Sequence, residues 1–137
     1  MENCIFCKII KGEIPAEKIF ENEEILAFLD INPVNPGHSL VIPKKHFENL
    51  VETPPEIACH MIKAAQKIGA VLNHSIEADG FNLSLNNGRS AGQVVSHVHL
   101  HVMPRFEGDG LELWPGKPVS NEDRTEIASA IKQSIDT

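Results

Sequence analysis

Between Ser96 and Arg105 the chain reads "SHVHLHVMPR", and no other stretch limits the possible folds as strongly. Its alternation has period two, the period of a β-strand and not of a helix. On a strand over 96–104, Val98, Leu100 and Val102 share one face, and His97, His99 and His101 share the other. The apolar face calls for a core layer beneath it, and the histidine face calls for a cleft. Neighbouring histidines on such a strand stand ~6.6 Å apart and the outer two ~13 Å. Two neighbours can ligate one metal ion, but all three would struggle to reach it, so the three divide their work. A solvated face needs no imidazole; Thr, Ser or Lys would serve as well. Imidazole titrates near neutrality and can act as base, acid or nucleophile, which suits chemistry on an anionic ligand.

The matching core layer is the clearest helix in the chain, over residues 54–77. Its Ile57, Met61, Ala64, Ala65, Ile68, Val71, Leu72 and Ile76 recur at i, i+3, i+4 spacing. Strands are expected at 17–21 and 25–30, joined by a turn at Asn22-Glu23, then at 38–43 and 81–86. Two prolines and a glycine make "DINPVNPGH" a loop, and "NGRSAGQ" is a second, glycine-bearing one. A short helix runs from Cys4 to Gly12. A last helix covers about 119–136, with Ser120 as N-cap and Asp123 at its third position. Short links between strands predict an antiparallel, five-stranded sheet packed on one long helix, an α+β layout. The 137 residues suit a single domain over 1–137.

Composition removes several function classes. The 42% of apolar residues can build a core, yet no run approaches the ~20 residues of a membrane span. The N-terminus lacks the basic and apolar regions of a secretion signal, so a cytoplasmic location is expected. Net charge is −7, and no basic block exceeds "KK", which excludes long nucleic acid as a partner. A small anionic ligand remains open, since a pocket can be positive on an acidic protein.

Three cysteines in a cytosolic chain argue for a metal or for free thiols over a disulfide framework. "CIFC" places Cys4 and Cys7 at zinc-knuckle spacing. A structural zinc takes four ligands, and His46 and His97 are the candidates to complete the set. The plain alternative is two small buried thiols beside Ile5 and Phe6. Cys59, on the long helix, spaces badly for this site and is expected to be packed. His60 and His74 are expected to be solvated.

"HVHLHVMPR" resembles the histidine triad motif, His-φ-His-φ-His-φ-φ with φ apolar. "CIFCKIIKGEIPAEKIFENEEILAFLDINPVNPGHSLVIPKKH" and "NNGRSAGQVVSHVHLH" are similar to the N-terminal half and the active-site loop of histidine triad nucleotide-binding proteins. The similarity spans about 3–116, within the short branch bearing an N-terminal Cys-x-x-Cys. It implies an enzyme that cleaves nucleoside monophosphates from phosphoramidates, adenylylated metabolites or dinucleoside polyphosphates through a nucleotidyl-histidine adduct. The catalytic set it implies is His99 as nucleophile, His101 as donor to a phosphate oxygen, His38 in support and Gln93 near the phosphate. Main-chain groups near His97 would hold the nucleophile's tautomer. For nucleotide binding it implies Asp30, Ile31 and Asn86 with His97, His99 and His101. It implies a structural zinc on Cys4, Cys7, His46 and His97, no metal in the chemical step, and a homodimer joined near the long helix, where Ala58, Met61, Ala65 and Leu72 give a broad apolar stripe that agrees with such a contact. Trp114 in "ELWPG" resembles the phosphoramidate branch, whereas the segment from Lys117 to Thr137 extends beyond that branch's usual end. Two other readings stay open: a non-catalytic purine-nucleotide-binding regulator or scaffold, and a hydrolase using zinc-bound water.

Overall fold

The computed structural model describes residues 3–136; the expected single domain also includes residues 1, 2 and 137, which lie outside them. Five strands form one antiparallel sheet: β1 (Lys18–Glu21), β2 (Ile25–Leu29), β3 (Ser39–Pro43), β4 (Gly80–Leu85) and β5 (Leu100–Arg105), in the order β1-β2-β3-β5-β4. The helices are α1 (Ile5–Ile10), α2 (Pro55–Ile76) and α3 (Asn121–Asp136).

The sheet is covered on both faces, unequally. On one face α2 lays Met61, Ala64, Ala65, Ile68 and Leu72 against Ile25, Ala27, Val41, Leu100 and Val102. On the other, the single turn and a half of α1 sets Phe6 and Ile9 over Leu26, Phe28, Leu40 and Ile42. Central strands β2 and β3 are thus buried on both sides, which is why "ILAFL" and "LVI" read as continuous apolar runs. β5, beside β3, keeps the two-faced pattern: alternate residues are buried against α2 and half-buried on the α1 side. Leu40 pairs with His101 and Ser84 pairs with His101 from the other flank, so the histidine face is the α1 face. α1 is too short to cover all of it, and the uncovered part is a cleft.

Local chemistry sets the element ends. Asn22 closes the β1–β2 turn by accepting from the N–H groups of Glu24 and Ile25. Pro55 starts α2 at a position whose N–H has no helical partner. Ser120 Oγ accepts the Asp123 N–H at 3.0 Å, as its N-cap position requires.

Three expectations need correction. The triad strand begins at Leu100, not at Ser96; residues 95–97 form a bend, and the Val98 N–H is taken by the Phe47 carbonyl at 2.7 Å. Side-chain demands on His97, described below, draw that end off the ladder. Cys59 is exposed, not packed, because it lies on the side of α2 facing away from the sheet. Finally, Met61, Ala65 and Leu72, expected to form a stripe for a second copy, are consumed by the chain's own core.

Candidate functional site

His97, His99 and His101 point to two different places. His97 is fully buried behind α1, while His99 and His101 line the cleft. The cleft has a volume of about 390 Å³ and is walled by Ile5, Phe6 and Ile9 of α1, the end of β2 with Asp30 and Ile31, and Asn86 and Gly92 of the opposite loop. Its lining is mainly apolar with a few convergent polar groups, the usual composition of a small-molecule site.

Hydrogen bonds assign the proton of each imidazole in that cleft. The Val34 N–H donates to His38 Nδ1 at 3.0 Å, so the neutral ring of His38 carries its proton on Nε2. That Nε2 lies 2.9 Å from His101 Nδ1, which must therefore accept, leaving the His101 proton on Nε2. His99 is wired in the opposite sense. Its Nδ1 lies 2.8 Å from the His97 carbonyl and must donate, so its Nε2 holds a lone pair. Among the described residues neither of these Nε2 atoms has a protein partner, and no buried side-chain nitrogen is left unsatisfied, so both open to the cleft. The ring centroids of His99 and His101 are 5.0 Å apart, closer than ideal strand spacing because the side chains lean together. A nitrogen lone pair and a hydrogen-bond donor thus sit side by side.

Burial keeps the supporting rings neutral. It pushes His101 down to about 4, helped by the neighbouring His99 and His38 and opposed by Asp30. His38 is also lowered by burial, against the pull of the Asp30 carboxylate, whose Oδ2 is 3.5 Å away. Asp30 Oδ1 accepts the Asn32 N–H and so shapes the turn as well. Ile31 is almost fully exposed beside the cleft.

Gln93 does not line the cleft. Its Oε1 accepts the Gly88 N–H at 2.9 Å, and its Nε2 donates to the carbonyls of Glu48 and Val95. It braces the loop that carries Asn86 and Gly92 to the rim. Gly88 and Gly92 have φ of 89° and 91°, a region that side chains with a Cβ rarely occupy. Asn86 lines the cleft, its Oδ1 accepting from the Ser84 hydroxyl.

Cys4, Cys7, His46 and His97 form a second cluster, their donor atoms all within 4.8 Å of one another. Cys4 Sγ and Cys7 Sγ lie 3.3 and 3.6 Å from His97 Nδ1, Cys7 Sγ lies 3.4 Å from His46 Nδ1, and the two Nδ1 atoms are 3.1 Å apart. A tetrahedral zinc with ordinary bond lengths needs sulfur–nitrogen separations of about 3.5 Å and nitrogen–nitrogen separations of about 3.3 Å. The residues fit such an ion. The outer edge of His97 fits too: Nε2 donates to the Pro43 carbonyl at 2.9 Å, which leaves the Nδ1 lone pair facing the cluster. Burial holds this imidazole neutral, at about 4, the form that binds metal. Burial and Cys4 push the Cys7 thiol up; a dication is the group that would hold both sulfurs as thiolates.

Sequence reasoning did not foresee Val34 or Pro43, which act through main-chain atoms and leave no signal in residue type. Nor did it foresee Phe6, whose ring lies edge-on to both His97 and His99.

The HIT domain family model matches residues 11–108, most of the chain and all of the cleft except its α1 wall. The chain belongs to the HIT domain family. An adenylylsulfatase of Arabidopsis thaliana is 46% identical over 80% of this chain and 55% of its own length. An adenosine 5′-monophosphoramidase of Candida albicans is 38% identical over 97% of this chain and 91% of its own. A crystal structure of a zinc-bound histidine triad family protein from Mycobacterium smegmatis superposes with a TM-score of 0.78 at 40% identity, covering 98% of this HIT chain and 97% of that one. Among the described residues no helix is long and apolar enough to cross a membrane.

Proposed function

We propose that this HIT protein is a nucleotidyl hydrolase or transferase that removes adenosine monophosphate, or a similar purine nucleotide, from phosphoramidates and mixed anhydrides. The carrying observation is the opposed wiring of two adjacent imidazoles, a lone pair on His99 Nε2 and a proton on His101 Nε2, in one cleft. The names of the two related enzymes support the substrate class, since an adenylyl group bonded to nitrogen or to sulfate shares one α-phosphorus with two kinds of leaving group.

In this reading the His99 Nε2 lone pair attacks the α-phosphorus. A P–N bond to the ring forms, the bond to the leaving group breaks, and the leaving group takes up a proton from water. The His97 carbonyl stabilises the positive charge that develops on the ring at Nδ1–H. His101 Nε2–H donates to a phosphate oxygen, and His38 holds it in that tautomer. Water then attacks phosphorus and gives its proton to the hydroxide left by the first step; the P–N bond breaks with its electron pair returning to His99 Nε2, and the nucleoside monophosphate leaves. Asp30 and Ile31 receive ribose and base; Asn86 reaches the phosphate side. Gln93 serves by bracing the loop. Cys4, Cys7, His46 and His97 would hold one zinc ion, which supplies a structural cross-link and no step of the reaction. The protein works as a homodimer.

Two in-line displacements leave overall retention at phosphorus. Hydrolysis of a chiral adenosine phosphorothioate substrate in labelled water is expected to show retention. Inversion would mean direct attack by water and would sink the covalent route.

A further inference from the structure

Phe6 is the aromatic residue of α1, one residue from Cys7 and two from Cys4, and it is 6% exposed. Its ring meets the His97 ring at 5.8 Å and 76°, and the His99 ring at 5.1 Å and 80°. One apolar side chain therefore touches both the metal-type cluster and the imidazole with the free lone pair. His99 needs such a contact. Among the described residues a single hydrogen bond, Nδ1–H to the His97 carbonyl at 2.8 Å, holds its ring from the protein side. A half-turn about Cβ–Cγ would carry Nδ1 away from that carbonyl and put carbon in its place. Nothing would then keep the proton on Nδ1, and the nitrogen facing the cleft could carry it instead. Such a ring has no lone pair to offer there.

We propose that Phe6 is a positioning residue for His99: it blocks that rotation and so keeps the Nε2 lone pair aimed into the cleft. The edge-on contact on one side and His101, 5.0 Å away at 61°, leave the imidazole little freedom to turn. The position of Phe6 is itself set twice. Cys4 caps α1 by accepting the Cys7 N–H at 3.4 Å, and both sulfurs approach His97, whose carbonyl holds His99. The short helix and the reactive segment are thus tied at the same residue. The inference rests on the reading of His99 as nucleophile.

The test uses the full chain as purified, with Phe6→Leu as the probe and Phe28→Leu as the control. Phe28 packs on Phe6 at 5.6 Å and walls the same cleft, and its ring meets no histidine ring among the described residues. Ring-nitrogen NMR at about pH 8, where imidazole is neutral, reads the His99 tautomer without substrate. The wild-type protein is expected to show the Nδ1–H form alone, Phe6→Leu a mixture of both forms, and Phe28→Leu the wild-type pattern. With an adenosine phosphoramidate, Phe6→Leu is expected to lower kcat by about tenfold or more while KM shifts by less than about threefold. A wild-type nitrogen pattern in Phe6→Leu, or equal mixing in Phe28→Leu, would overturn the proposal. Should Phe6→Leu fail to fold, Phe6→Met takes the same measurements with a longer, flexible apolar side chain. Absence of turnover in the wild type would overturn the functional reading alone, because the tautomer measurement needs no turnover.

Discussion

His99 and His101 are one residue type two positions apart, and their neighbours give their open nitrogens opposite characters. A carbonyl at Nδ1 makes Nε2 of His99 an acceptor; a donor at Nδ1 makes Nε2 of His101 a donor. On the proposed mechanism, His99→Ala removes nearly all turnover while AMP affinity stays within about tenfold, because the lost interaction belongs mainly to the transition state. Calorimetric AMP binding beside a phosphoramidate assay checks this. The neutral rings also make stability depend on pH. An unfolded histidine titrates near 6.5, while folded His101 titrates at about 4. Between those values the unfolded state binds more protons, so stability rises with pH through the window and is fully present above about 6.5. For His101 the loss on acidification amounts to about 2–3 kcal/mol. Denaturant melts from pH 7 to pH 4 should show it, and His101→Asn should flatten part of the slope.

At the scale of elements, α1 has only six residues and cannot be stable by itself. Phe6 and Ile9 hold it on the sheet, and its N-cap carries one sulfur of the Cys4–Cys7–His46–His97 cluster. If zinc joins that cluster, it ties α1, the loop after β3 and the segment before β5 into one unit. Cys4→Ser is then expected to lower the metal content, measured by mass spectrometry, and the melting temperature together, the latter by more than about 5 °C. Its effect on the chemical step should be smaller than that of His99→Ala. A zinc-free protein from a gentle preparation with unchanged melting would exclude this.

At the scale of the molecule, the sheet has one face closed by α2 and one half-closed by α1, and the half-open face carries the cleft with His99 and His101. The periphery is less complete. β4 is an edge strand with exposed Phe81 and Leu83, and α2 turns Ile62 and Val71 outward. Every residue of α3 with a described side chain is exposed, including Ile127, Ile131 and Ile135. These apolar groups, and not Met61, Ala65 or Leu72, are what a proposed homodimer would cover. Light scattering at micromolar concentration should give a mass near twice that of one chain; a value near 15.1 kDa would exclude the dimer.

Period-two alternation in "HVHLHV" and the i, i+3, i+4 pattern of residues 57–76 determined which faces pack together, because burial of an apolar stripe depends only on local spacing. The grouping of Cys4 and Cys7 with His46 and His97 was legible only in part: Cys-x-x-Cys spacing called for two more donors, and the resemblance to histidine triad proteins pointed to these two of the seven histidines. Other features were decided in three dimensions. Where β5 begins depends on His97, whose ring is held by a carbonyl of β3 more than fifty residues earlier in the chain. Which nitrogen of each imidazole is open depends on Val34 N–H and on the His97 carbonyl, main-chain groups that every non-proline residue possesses. Gln93, expected near the phosphate, has its amide engaged by the loop's own N–H and carbonyl groups, contacts that residue type alone does not announce. Residue types alone set what chemistry is possible here; the tertiary structure decides which atom is free to perform it, because a hydrogen bond from a distant main-chain group is invisible in the sequence of the side chain that receives it.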